Sequence, residues 1–139
     1  MEAKRRCAIY ARYSSDLQRE SSIEDQVRKC RERAARDWSI ADGYTVSDEA
    51  VSGESIEGRP ALKALLAAAK LRPKPFDCVL VEDTSRLSRH PADQRRIIDI
   101  FTFNGVDVVS VTQGIDTVLV DNIFRPNDIA ERLTHLVAF

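Results

Sequence analysis

Arg12, Ser14, Ser15, Asp16 and Gln18 crowd the end of the stretch YARYSSDLQ, residues 10–18. A second polar group, Ser85, Arg86, Ser88 and Arg89, fills SRLSR at residues 85–89, and Arg59 stands between the two in GRPAL. A hydroxyl among guanidiniums is what attack on a phosphodiester asks for. A serine phosphoester stores the energy of the bond it replaces, and the transition state needs positive charge on its crowded oxygens. Arginine suits that task because its fixed, always-ionised fork binds phosphate oxygens bidentately, and several preorganised donors can take the place of a metal ion. The same cations favour the alkoxide of Ser14. Taken singly, each residue also has an ordinary reading. Ser14 can serve a turn, SRLSR can be a solvated loop with Leu87 turned into the core, and Arg59 can cap a helix or form an ion pair.

Chemistry shared between residues so far apart requires elements that bring them together. Cys7-Ala8-Ile9-Tyr10 is a short apolar run suited to a buried strand. Ser21-Ser22-Ile23-Glu24 matches a capping box with Ser21 as the cap. A helical stripe follows through Ile23, Val27, Cys30, Ala34, Trp38 and Ala41, predicting a long helix ending near Gly43. Residues 44–46 (YTV) read as a second strand, and residues 50–58, with Ser52, Gly53, Ser55 and Gly58, as a loop. Pro60 opens a second helix with Leu62, Leu65, Leu66 and Ala69 on its buried face. Residues 76–81 (FDCVLV) form the near-continuous apolar run of a strand covered on both sides. Pro91 starts a helix that Asn104-Gly105 ends, and residues 106–111 (VDVVSV) form another strand. This alternation predicts a three-layer α/β fold, with a mainly parallel sheet of 4–5 strands flanked by helices. Ligands collect beyond the carboxyl ends of such strands, where the loops carrying Ser14 and Arg86 should meet.

The 139 residues suffice for one core, and 43% hydrophobic with 31% charged residues places the chain among soluble globular proteins without a disorder signature. No run approaches the roughly 20 apolar residues that span a bilayer, and Arg12 interrupts any signal-peptide core, so a cytoplasmic protein without membrane contact is expected. Cys7, Cys30 and Cys78 show no CxxC spacing and are expected as buried free thiols. His90 and His135 are too distant for a HExxH pair, so neither metal nor other cofactor is indicated. A net charge of −1 lacks the basic excess of a domain that grips DNA by itself. Arg28, Lys29, Arg31, Arg33 and Arg36 alternate with Glu24, Asp25, Glu32 and Asp37, the pattern of a solvated helix face.

The spaced pieces YARYS through QRESSIEDQ, DEAVSGESIEGRPALKALL, VLVEDTSRLSR and GIDT, in this order, resemble the catalytic domain of the serine recombinases, the resolvase and invertase family, and especially its large-recombinase branch. The resemblance runs from about residue 5 to residue 117. It implies a site-specific recombinase that cuts and rejoins DNA by transesterification through a transient 5′-phosphoserine link, without metal or nucleotide. It places the nucleophile at Ser14 and phosphate-binding arginines at Arg12, Arg59, Arg86 and Arg89. Gln18 and Gln26 fall on glutamines that organise the nucleophile loop, and Ser52 on the serine of an SG loop. DNA is the implied partner, with dimers and a synaptic tetramer as the working assembly. The four arginines are expected to stabilise charge in the transition state rather than to hold the fold.

Departures from the family pattern are equally specific. Ser85 stands where many members carry Asp, and Asp83, two residues earlier, is either a substitute or a surface aspartate. Asp48 and Glu49 compete for one acidic position. Beyond residue 117 the dimer helix of the family is not evident, because residues 118–125 (VLVDNIFR) are β-branched and Pro126 follows. The chain is therefore divided into a catalytic domain, 1–117, and an atypical tail, 118–139, whose Ile129, Leu133, Leu136 and Val137 are expected to pack on the same domain. Without the dimer helix, the chain alone should be monomeric. The alternatives are a catalytically degenerate phosphate- or DNA-binding module of the same fold, and a flavodoxin-like regulatory domain with Glu82 and Asp83 as its acidic site.

Overall fold

The computed structural model describes residues 4–13, 22–49 and 56–118. Along the chain they form β1 (Arg6–Arg12), α1 (Ile23–Ala34), β2 (Ser39–Asp48), α2 (Pro60–Ala68), β3 (Cys78–Val81), a 3-10 turn (Thr84–Arg86), α3 (Pro91–Phe103), β4 (Asp107–Ser110) and β5 (Ile115–Asp116). One five-stranded sheet has the order β2-β1-β3-β4-β5. The first four strands are parallel, and β5 pairs antiparallel to β4. The expected α/β architecture with its mainly parallel sheet is present.

Both faces of the inner strands are covered, which is why β3 and residues 7–11 of β1 are apolar without interruption. Along β1, Cys7 and Ile9 turn toward Cys30 and Ala34 of α1, together with Cys78 and Leu80 of β3. Ala8 and Tyr10, one position out of phase, turn toward Leu62 and Leu65 of α2 and Ile97, Ile100 and Phe101 of α3. Burial of β3 is complete, as its sequence predicts. Truncating a residue such as Leu80 would remove contacts worth about 2–5 kcal/mol.

Two expectations about α1 are corrected. Its cap is Ser22, whose hydroxyl accepts from the Asp25 amide at 3.1 Å, so the capping signal lies one residue later than the Ser21 box. The helix also ends at Ala34, far short of Gly43. Trp38 and Ala41 share its periodicity, but Trp38 lies beneath the guanidinium of Arg33, 3.6 Å from the ring centroid, and Ala41 lies in β2. The short strand read at residues 44–46 is the middle of this longer one. Register explains the deception. Cys7 pairs with Ile40 whereas Ile9 pairs with Thr45, so β2 bulges between them. Gly43 supplies the left-handed backbone there at φ +82°.

Elsewhere the punctuation works as read. Pro60 and Pro91 occupy first-turn positions of α2 and α3. Asn104 caps α3 and Gly105 follows at φ +79°. Among the described residues, no helix is long and apolar enough to cross a membrane.

Candidate active site

β1 and β3 are neighbours in the sheet, with Ile9 paired to Leu80. The segments leaving their carboxyl ends therefore run side by side. Arg12 closes β1, and although it carries a charge it is 1% exposed. A buried guanidinium needs acceptors for its donors, and the 3-10 turn after β3 supplies them. Arg12 Nε donates to the carbonyl of Arg86 at 3.0 Å, and Nη2 to the carbonyl of Ser85 at 2.8 Å. Arg86 answers by donating from Nη1 to the Arg12 carbonyl at 3.2 Å. The two arginines thus lace the two loops together.

Gln26, fully buried on α1, fixes the same point from the other side. Its Oε1 accepts from the Arg12 amide and its Nε2 donates to the Arg12 carbonyl, both at 3.0 Å. A side-chain amide matches a peptide group in both directions, which no carboxylate or ammonium could do. Gln26 therefore organises the strand from which the Ser14 loop departs.

Arg59 reaches the turn from the start of α2. Nη2 donates to the Arg86 carbonyl at 2.8 Å, and Nη1 makes a short contact with the Leu87 carbonyl. Its Nε and Nη2 also donate to Tyr10 Oη, at 3.2 and 3.1 Å. That phenol donates in turn to Asp48 Oδ2 at 2.6 Å. Burial pushes Tyr10 well above the ordinary phenol range, so it keeps the proton it donates. Asp48 accepts as well from the amides of Ala61 at 2.9 Å and Leu62 at 3.0 Å, capping α2 from outside the helix. Of the two neighbouring acids, Asp48 is the buried one and Glu49 is exposed. Tyr10 was not among the sequence candidates. The signal for Tyr10 was a hydroxyl placed inside an otherwise apolar strand.

After β3, Glu82 is 3% exposed and accepts from Arg86 Nη2 at 2.7 Å. Asp83 caps the 3-10 turn, taking the Ser85 amide at 2.9 Å and the Ser85 hydroxyl in a short contact. Its other oxygen stands 4.0 Å from Arg86 Nε. Asp83 is thus not a loose surface aspartate. It folds back onto Ser85 and faces Arg86. Glu82 and Asp83, held by these cations and by the turn, do not form a cation cradle. Among the described residues, no group of His, Cys, Asp and Glu is placed to hold a metal ion.

The structure therefore brings Arg12, Gln26, Arg59, Asp83 and Arg86 together. Arg89 lies just beyond, exposed, before α3. Ser14, Gln18 and Ser52 lie outside the described residues. With Lys29, 2.9 Å from Glu82, the cations Arg12, Arg59 and Arg86 outnumber the carboxylates of Asp48, Glu82 and Asp83 at this edge of the sheet, an arrangement that favours an anion. One expectation needs revision on these distances. Arg12, Arg59 and Arg86 are bonded to backbone carbonyls of the loops, so they are not separable from the fold.

Comparison with known proteins finds relatives that span the described fold. The family model described as the resolvase N-terminal domain matches residues 7–123. The crystal structure of the N-terminal catalytic domain of TP901-1 integrase is 33% identical, with a TM-score of 0.70, and the match covers 96% of this chain and 92% of that one. A resolvase family site-specific recombinase from Streptococcus pneumoniae is 28% identical, with a TM-score of 0.69 and coverage of 94% and 85%. The C-terminal catalytic domain of ISC1926 TnpA, an IS607-like serine recombinase, is 29% identical, with a TM-score of 0.62 and coverage of 85% and 77%. No curated protein matches the chain.

Proposed function

The chain belongs to the resolvase family of serine recombinases through its N-terminal catalytic domain, and from that premise we propose that it cuts and rejoins DNA at specific sites by transesterification. The Ser14 hydroxyl attacks the scissile phosphorus, a Ser14–phosphate bond forms at the 5′ end, and the 3′ oxygen leaves as a free hydroxyl. Rejoining reverses the step with a 3′-hydroxyl of the exchanged strand. No nucleotide is consumed, because the phosphoserine bond keeps the energy of the phosphodiester.

The observation that carries this reading is the convergence of Arg12 and Arg59, from two separate elements, on the backbone carbonyls of residues 85–87, while Arg86 of that turn donates back to the Arg12 carbonyl. Such an assembly at the end of the strand preceding Ser14 supports charge stabilisation at a phosphate. Arg89, exposed beside it, would join from the solvent side. Self-association into dimers and a synaptic tetramer belongs to the same proposal, since paired strand exchange needs several copies of the site. A degenerate module is the rival favoured by Ser85, which removes a carboxylate from its usual place.

The test is a nicked suicide duplex in EDTA, with the chain joined to a sequence-specific DNA-binding module. The wild type should form a covalent protein–DNA adduct, and Ser14→Ala should form none. An adduct that survives Ser14→Ala, or a wild type that never forms one, overturns the assignment.

A further inference from the structure

Two cations of α1 pair as a solvated face does, Arg28 with Glu32 at 3.1 Å and Arg33 with Asp37 at 3.0 Å. Lys29 departs from this pattern. Its Nζ crosses to the end of β3 and lies 2.9 Å from Glu82 Oε2. The other oxygen, Oε1, takes Arg86 Nη2 at 2.7 Å. The Glu82 carbonyl accepts from the amide and the hydroxyl of Thr112, at 2.9 and 2.7 Å, which pins its backbone to the segment after β4. A carboxylate this deeply buried is costly unless its oxygens are bonded, and here each oxygen meets a cation.

We infer that Glu82 is a positioning residue, which with Lys29 behind it aims the Arg86 guanidinium at the scissile phosphate; the inference rests on the recombinase reading above. The reason is geometric. A guanidinium is a rigid plane, and holding Nη2 on Glu82 and Nη1 on the Arg12 carbonyl fixes that plane. A carboxylate alone would bring negative charge toward a phosphate. Lys29 offsets it, so the group of Lys29, Glu82 and Arg86 keeps a net positive charge. Lys29 also lies on the helix that follows the Ser14 loop, one turn beyond Gln26. That helix therefore holds Arg12 directly through Gln26 and Arg86 indirectly through Glu82. Any displacement of α1 would move both guanidiniums at once.

The suicide-duplex assay, read as a single-turnover rate, tests the inference. Glu82→Gln keeps the shape and an acceptor oxygen but loses the charge, and should slow cleavage by about 10- to 100-fold, the scale on which loss of an orienting partner is felt. Lys29→Met should slow it in the same direction, and Lys29→Arg should recover much of that loss. If Glu82 acts through Arg86, adding Glu82→Gln to Arg86→Ala should cost nothing more. A Glu82→Gln protein that cleaves at the wild-type rate, or a full multiplicative loss in the double variant, overturns the inference while leaving the recombinase reading intact. A wild type without adduct overturns both. Should Glu82→Gln fail to fold, the Lys29 pair of variants decides alone, because that side chain is 37% exposed. Equal rates for Lys29→Met and the wild type would then overturn it.

Discussion

Among the arginines, the serine-recombinase pattern marks four residues alike, and burial separates them. Arg12 and Arg59 are 1% exposed and donate to backbone carbonyls that would otherwise be stranded in the core. Lysine keeps the charge but loses the planar fork, so Arg12→Lys and Arg59→Lys should each lose about 1–3 kcal/mol of stability. Cleavage should fall by about 10²-fold or more, as on loss of one preorganised donor. Arg89→Lys should show the same loss of cleavage, with stability within roughly 0.5 kcal/mol of wild type, because it lies on the surface. Thermal melts beside single-turnover rates would check this split, and equal melting points for all variants would show that the carbonyl contacts carry no weight. The arginines were singled out by residue type in strand-end loops together with the family resemblance, and Gln26 by that resemblance alone. The roles of Tyr10, Asp48, Lys29 and Glu82 were not legible, because they depend on contacts across the fold: Lys29 looks like any cation on a charged helix until β3 is placed beside it.

At the scale of elements, α2 depends on a cap that its own sequence lacks. Arg59 occupies the cap position without a side-chain bond to the helix, and Asp48, at the end of β2, takes the amides of Ala61 and Leu62 instead. Asp48→Ala should therefore act on two structures together, orphaning the first turn of α2 and removing the acceptor of the Tyr10 hydroxyl. A loss of about 2–4 kcal/mol is expected from a cap and a buried hydrogen bond combined, read as a lower urea midpoint with an unchanged slope. Tyr10→Phe in the Asp48→Ala background should recover none of that loss, because it also strips the acceptor of the buried Arg59 Nε. The elements themselves were largely legible, since proline starts, glycine ends and apolar runs act locally. The length of α1 was not. Trp38 and Ala41 continue a helical spacing by coincidence, and only pairing with β1 draws Ala41 into a strand that begins just after Trp38 and bulges at Gly43.

For the molecule as a whole, the buried guanidiniums of Arg12, Arg59 and Arg86 share one edge of the sheet while the net charge is −1. Binding to a random duplex should therefore be no tighter than about 10⁻⁵ M near physiological salt, with a shallow salt slope, because few phosphates can be neutralised. The free chain should sediment mainly as a monomer. Fluorescence anisotropy and sedimentation velocity would check these expectations, and nanomolar, sequence-dependent binding would reveal a recognition element in residues 119–139. The order of the layers was legible from the alternation of patterns, whereas the packing expected of Ile129, Leu133, Leu136 and Val137 in the tail lies outside the described residues. The central position of β1 has a consequence for biosynthesis. Its partner in β3 lies 71 positions downstream, as from Cys7 to Cys78, so at about 5–20 residues per second the first strand made spends several seconds without the neighbour that buries it. Nascent chains arrested before residue 78 clears the ribosome should stay open to protease, and those released past it should become resistant in one step.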